Sequence, residues 1–118
     1  MRFMFIVTSA HPGPPTPELL SAVHKMADRE IKAGRMIDNG GLMPIATGAQ
    51  VRIKNSELSV VDGPFVEAKE VIGGYAIFEL ANKDEALASA REFMQLHKDL
   101  MPGWEGVCEL RAFAAGGP

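Results

Sequence analysis

Residues 3–7, FMFIV, are apolar at every position. A strand that reads this way needs cover on both faces of its sheet, whereas a strand with one wet face alternates. The rest of the chain must therefore supply two layers around it. One of those layers is legible at once. Thr16, Pro17 and Glu18 form a helix start: a hydroxyl to cap free amides, a proline where no amide is needed, and a carboxylate near the positive end of the dipole. Behind it Leu19, Leu20, Val23, Met26, Ala27 and Ile31 share one arc at helical spacing, with Lys25, Asp28, Arg29 and Lys32 opposite, and Gly34 is the stop. Asn82 with Glu85 three positions on is a capping box that opens a second helix. Its arc holds Ala86, Ala90, Phe93, Met94 and Met101, it runs to about His97 or Leu100, and Pro102 and Gly103 end it.

The segments between the helices read as strands. Residues 36–43 are extended but loosened by Asn39, Gly40 and Gly41, which favour a bulge or kink before Pro44 closes the element. Residues 50–54 and 57–61 are β-favouring runs about Asn55 and Ser56, a short polar break that fits a hairpin. Residues 72–80 alternate Tyr75, Ile77 and Glu79 against Ala76, Phe78 and Leu80, and residues 107–113 alternate again. Residues 9–15, with Gly13 between prolines, form a loop, and 114–118 read as a loose tail. The expected plan is β-α-β-β-α-β with an inserted hairpin, both helices on one face of an antiparallel sheet. At 118 residues this is one domain. The second cover for the first strand is then missing. Val107 and Phe113 share that bare face, so a two-fold partner laid face to face is expected, with Glu79, Glu109 and Arg111 lining any gap.

Composition narrows the function classes. The chain is 47% hydrophobic and 23% charged, an ordinary globular balance. Its 12 basic and 15 acidic residues are scattered, so no basic stripe faces phosphates and nucleic acid is not an expected partner. Nothing is long and apolar enough for a membrane span. The lone Cys108 cannot form an internal disulfide and favours a reducing cytoplasm. His11, His24 and His97 lack metal-ligand spacing, and Gly73–Gly74 is followed by a strand without a phosphate-loop lysine, so neither metal nor nucleotide cofactor is expected.

Residues 61–80 read VDGPFVEAKEVIGGYAIFEL, which resembles the signature of the DGPF branch of the YCII-related family. The likeness extends to AGRMIDNGGLMP after the first helix and PGWEGVCELR near the end. It implies a ferredoxin-like α+β fold of the dimeric α+β barrel type, pairing through its sheets, with a pocket between sheet and helices. It implies little chemistry. A few relatives in the wider family are similar to small-ring isomerases or dehydrochlorinases with a histidine and an aspartate proposed to act, and members of the DGPF branch are often encoded beside extracytoplasmic-function sigma factors. A position often acidic in such proteins is Gly40 here.

Several polar residues carry both a plain and a functional reading. Turn chemistry alone accounts for Asp62, Gly63, Pro64 and Phe65. Alternatively Lys69 binds an anionic substrate while Asp62 or Glu70 moves a proton. Glu30 and His97 each sit inside an apolar arc, where they either satisfy one another or a backbone group, or form a perturbed pair at a site. His24 lies one turn before Asp28, within reach on a helix, and is the candidate match for the family histidine. Arg111 is a carboxylate anchor or one half of an intersubunit salt bridge with Glu109. Two functions follow: a cofactor-free enzyme acting by proton transfer on a small anionic or ring-shaped molecule, or a non-catalytic dimeric binding module in a stress or sigma-factor circuit.

Overall fold

A computed structural model describes residues 1–10, 14–62 and 71–115. The elements, in chain order, are β1 (Arg2–Ser9), α1 (Pro17–Lys32), β2 (Met36–Gly41), β3 (Ala49–Lys54), β4 (Glu57–Asp62), β5 (Val71–Glu79), α2 (Lys83–Leu100) and β6 (Gly106–Ala112), with a single 3-10 turn at Ile45–Thr47. Four strands form one sheet in the order β2-β5-β1-β6, every neighbouring pair antiparallel, and β3 pairs only with β4. Two helices on an antiparallel sheet make an α+β fold consistent with the ferredoxin-like plan.

The helix starts follow from the caps. Thr16 Oγ1 accepts the Leu19 amide at 3.2 Å and donates to the Leu100 carbonyl at 3.0 Å, so one hydroxyl serves a free donor of α1 and a free acceptor of α2. At α2, Asn82 Oδ1 accepts the Glu85 amide at 3.0 Å, while Glu85 reaches back to the Ala81 amide, one residue before the usual target of a capping box. Gly34 takes the left-handed conformation, φ +76°, that turns the chain from α1 into β2.

Alternation decides which side of the sheet each residue takes. Phe3 lies opposite Phe78 and Ala112, and Phe5 opposite Ala76 and Leu110, all on the helix side. Phe3, Phe5, Phe78, Leu80, Ala86 and Ala90 form the core, with the Phe5 and Phe78 rings stacked at 4.5 Å. The arc expected for α1 is turned relative to the sheet. Leu19, Met26 and Glu30, all inside the arc read from the sequence, are buried, but Leu20 and Ile31 fall at its margins and are exposed.

The outer side of the sheet is bare within one chain. Met4 and Ile6, beside Ile77 and Tyr75, are half-buried, and Ile72, Val107 and Phe113 are exposed. Thus the apolar run of β1 is covered on one face only. β2 does contain the irregularity expected of it, placed between Met36 and Asp38 rather than at its glycines, so Ile37 is the extra residue. Among the described residues no helix is long and apolar enough to cross a membrane.

Candidate functional site

Between the helices and the inner side of the sheet lies a cavity of about 600 Å³. Its floor is Phe5, Val7, Ala76, Phe78 and Cys108, and its walls include Leu19, Val23 and Met26 of α1 with Ser89, Phe93 and His97 of α2. Met101 and Trp104, just beyond α2, line one end. No Asp, Glu, Lys or Arg occurs among the described residues that line it. A cavity of this size and character is that of a site for a small organic molecule, in which a few polar groups fix orientation.

His97 is the most informative of those groups. It is 9% exposed, and its ring lies between Phe93 and Trp104, with ring centres 4.6 Å away on each side. Its Nδ1 is 3.0 Å from the Phe93 carbonyl oxygen, one helical turn back. A carbonyl only accepts, so Nδ1 carries the hydrogen, and in the neutral tautomer of that kind the lone pair is on Nε2. Among the described residues Nε2 has no hydrogen-bond partner. Trp104 is held in turn by Gly106, over which its indole lies. A Cβ at that position would collide with the indole and stand 2.6 Å from the Thr8 carbonyl oxygen.

Ser89 is a second polar group, two turns earlier on the same face of α2. It is 9% exposed, and its Oγ is buried without a hydrogen-bond partner. Sequence reasoning passed over Ser89 although the signal was present, since positions 86, 89, 93 and 97 form one helical stripe. Asn39 of β2 also lines the cavity and donates to Met36 Sδ at 3.3 Å. Burial on the floor pushes the Cys108 thiol up to about 11, so it is a neutral thiol at physiological pH.

The residues singled out in the sequence are dispersed. His24 is exposed and lines the cavity from α1, without a hydrogen bond to Asp28. Glu30 does not line the cavity. It is 5% exposed and accepts from Arg35, through Nε at 2.9 Å and again through the terminal guanidinium nitrogen, with Arg29 at 3.7 Å. Glu30 and His97 therefore have separate partners, and the helix directions explain why. α1 and α2 run antiparallel, so Thr16 meets Leu100 at one end and Arg29 pairs with Glu92 toward the other, at 2.7 Å. His97 accordingly faces the first turns of α1, far from Glu30. Arg111 lies on the outer side of the sheet beside Glu109, its guanidinium 3.4 Å from that carboxylate, and does not line the cavity.

Asp62 ends β4, exposed, opposite Ala49, and it too is absent from the cavity wall. Lys69 and Glu70, like the rest of 63–70, lie outside the described residues. The glycine at position 40 has a physical reason. A Cβ there would come 2.8 Å from Tyr75 Cε1, and the Tyr75 hydroxyl donates to Asp38 Oδ2 at 3.0 Å. That hydrogen bond, with the nearby carboxylate charge, pushes the Tyr75 phenol above its ordinary range. A carboxylate at position 40 would displace the ring. Among the described residues no cluster of His, Cys, Asp and Glu is arranged to hold a metal ion.

The family model of the YCII-related domain matches residues 1–95, four-fifths of the chain. The chain belongs to the YCII-related family. An uncharacterized protein of Rhizobium meliloti (strain 1021) is 37% identical over 73 residues, which cover 62% of this chain and 56% of that protein. The chain thus spans little more than half the length of that relative. The YCII-related match takes in β1 to β5 and α2 as far as Gln95. It stops short of His97, Trp104 and Cys108, so one end of this cavity is built from residues beyond the matched region.

Proposed function

We propose that this YCII-related protein binds a small, uncharged, largely apolar molecule, ring-shaped in the simplest case, in the cavity between sheet and helices, and that His97 Nε2 accepts a hydrogen bond or a proton from it. One observation carries this reading: His97, its Nδ1 committed to the Phe93 carbonyl, lines a cavity in which no described residue is charged, which leaves Nε2 as the ring nitrogen available to a ligand. Transfer of a proton to a neutral imidazole is chemistry that needs no cofactor, which supports the enzymatic reading over a plain binding module. A neutral ligand suits the described lining, which is largely apolar with a few uncharged polar groups. Asp62, Lys69 and Glu70 are given no role in this reading. We also propose a homodimer joined by the outer sheet faces, supported by the exposed Ile72, Val107 and Phe113, and a reducing cytoplasmic setting, supported by the free thiol of Cys108.

The test uses Trp104, the single tryptophan and a wall of the cavity. Its fluorescence is followed during titration with cyclohexanol, borneol and adamantanol, and with cyclohexanecarboxylate and adamantanecarboxylate. At least one neutral alcohol should give a saturable change that the matching carboxylate does not. His97→Gln should weaken it roughly three- to tenfold, the worth of one hydrogen bond. Tighter binding of the carboxylates, or no saturable change with any of the alcohols, contradicts the reading.

A further inference from the structure

The hairpin of β3 and β4 is a two-stranded sheet that the four-stranded sheet does not extend. Its turn is set by Asn55 and Ser56 at φ +51° and +64°, the two left-handed residues of a tight hairpin. Register sorts its side chains cleanly. Val51 lies opposite Val60 and Ile53 opposite Leu58 on one face, while Arg52 opposite Ser59 and Lys54 opposite Glu57 occupy the other. The polar face is satisfied locally, with Arg52 donating twice to Gln50. The apolar face is not: Val51, Ile53, Leu58 and Val60 are 67–77% exposed. An isolated two-stranded hairpin is at best marginally stable in water, so this one needs a surface to lie on. A radius of gyration of 16.1 Å, against roughly 13.5 Å for a compact chain of this length, agrees with an arm that stands off the body.

We infer that this arm is a contact surface for a second copy of the chain, each arm laying its apolar face on the outer sheet face of the other copy. The inference rests on the proposed pairing of sheet faces and extends it. Within one chain both surfaces are left over, the arm and the outer sheet face, where Ile72 and Val107 flank Thr8 at one end and Phe113 lies by Arg2 at the other, and a two-fold exchange covers both on both copies and closes the assembly. Four large apolar side chains at 67–77% exposure on one face make a patch of the order, about 300–600 Å², that is often functional on a soluble monomer. Two arms with the surfaces that receive them would bury on the order of 2,000 Å², enough for a stable dimer. Charge opposes it little, because on the outer sheet face Arg2 pairs with Glu79 and Arg111 with Glu109, and Asp38 accepts from the Tyr75 hydroxyl.

Sedimentation velocity on the full chain tests this with three variants. The unaltered protein should run at twice the 12.7 kDa chain mass. Ile53→Lys with Leu58→Lys should weaken association at least tenfold, and Ile53→Thr with Leu58→Thr, which keeps β-favouring residues in the arm, should do the same. Trp104 emission should be unchanged in both, because no residue of the arm lines the cavity. Val107→Lys tests the outer sheet face itself, which both the sheet pairing and the arm contact need. If Val107→Lys dissociates the dimer while both arm variants stay dimeric, the pairing stands and the arm inference is overturned. An unaltered protein that is monomeric at about 100 µM, far above the Kd of an interface of this size, overturns both and leaves the arm to a different protein.

Discussion

Gly106 is the residue on which the cavity's one end depends, since any side chain there strikes the Trp104 indole and the Thr8 carbonyl. Gly106→Ala should destabilise the fold by about 1–3 kcal/mol, the usual cost of overpacking, and shift Trp104 emission toward that of solvated indole. A melt and a fluorescence spectrum suffice to check it. Cys108 gives a pH prediction. Its folded value of about 11 stands above the ordinary 9.0, so the folded state holds the proton more tightly than the unfolded chain does. That contribution to stability is complete below pH 9 and is lost as pH rises from 9 toward 11. Denaturant midpoints across that window should fall more for the native protein than for Cys108→Ala, and iodoacetamide should alkylate the native thiol slowly at pH 8, where it is neutral. Glu30 belongs to the fold rather than to the cavity. Glu30→Ala should cost about 1–3 kcal/mol, below the loss expected for a fully buried ion pair, because the half-exposed Arg35 is left solvated. Binding of neutral alcohols should be retained, which a titration of Trp104 in the variant would show.

At the scale of elements, most of the plan was legible because each start and stop is local chemistry. Thr16-Pro17, Asn82 with Glu85, Gly34 and Asn55-Ser56 all act where the sequence places them. Rotation of a helix about its own axis was less legible. Ile31 and Glu30 lie side by side on α1, and only the Arg35 guanidinium, delivered by the Gly34 turn, makes the carboxylate the buried one. The antiparallel course of α1 and α2 was available from the strand-helix order, and it separates Glu30 from His97 where arc membership alone set them together. His97 could be singled out from the sequence, but the tautomer fixed by Phe93 could not, because it depends on a backbone distance. Thr16 ties the two helices at that end. Thr16→Val should remove both its hydrogen bonds and lower stability by about 1–2 kcal/mol, with amide exchange faster in the first turn of α1 than elsewhere.

For the molecule as a whole, one chain builds a covered inner face, with a cavity, and an uncovered outer one. The apolar run of β1 announced two covers, and the single chain provides one. The cavity lies on the covered side, so its walls come from one chain, and the proposed pairing of outer faces leaves them in place. Binding and association should therefore be separable: the arm variants should lose association while keeping the response of Trp104 to neutral alcohols.

The central claim is that His97 holds its hydrogen on Nδ1 and offers Nε2 to a ligand in the cavity. Long-range proton–nitrogen NMR of the imidazole rings at pH 8, with His97 assigned by comparison with His97→Gln, reads the tautomer directly. A protonated Nδ1 is expected, with an unprotonated Nε2 whose resonance moves on saturation with a neutral alcohol. A hydrogen on Nε2, or a resonance indifferent to a ligand that changes Trp104 fluorescence, would contradict it.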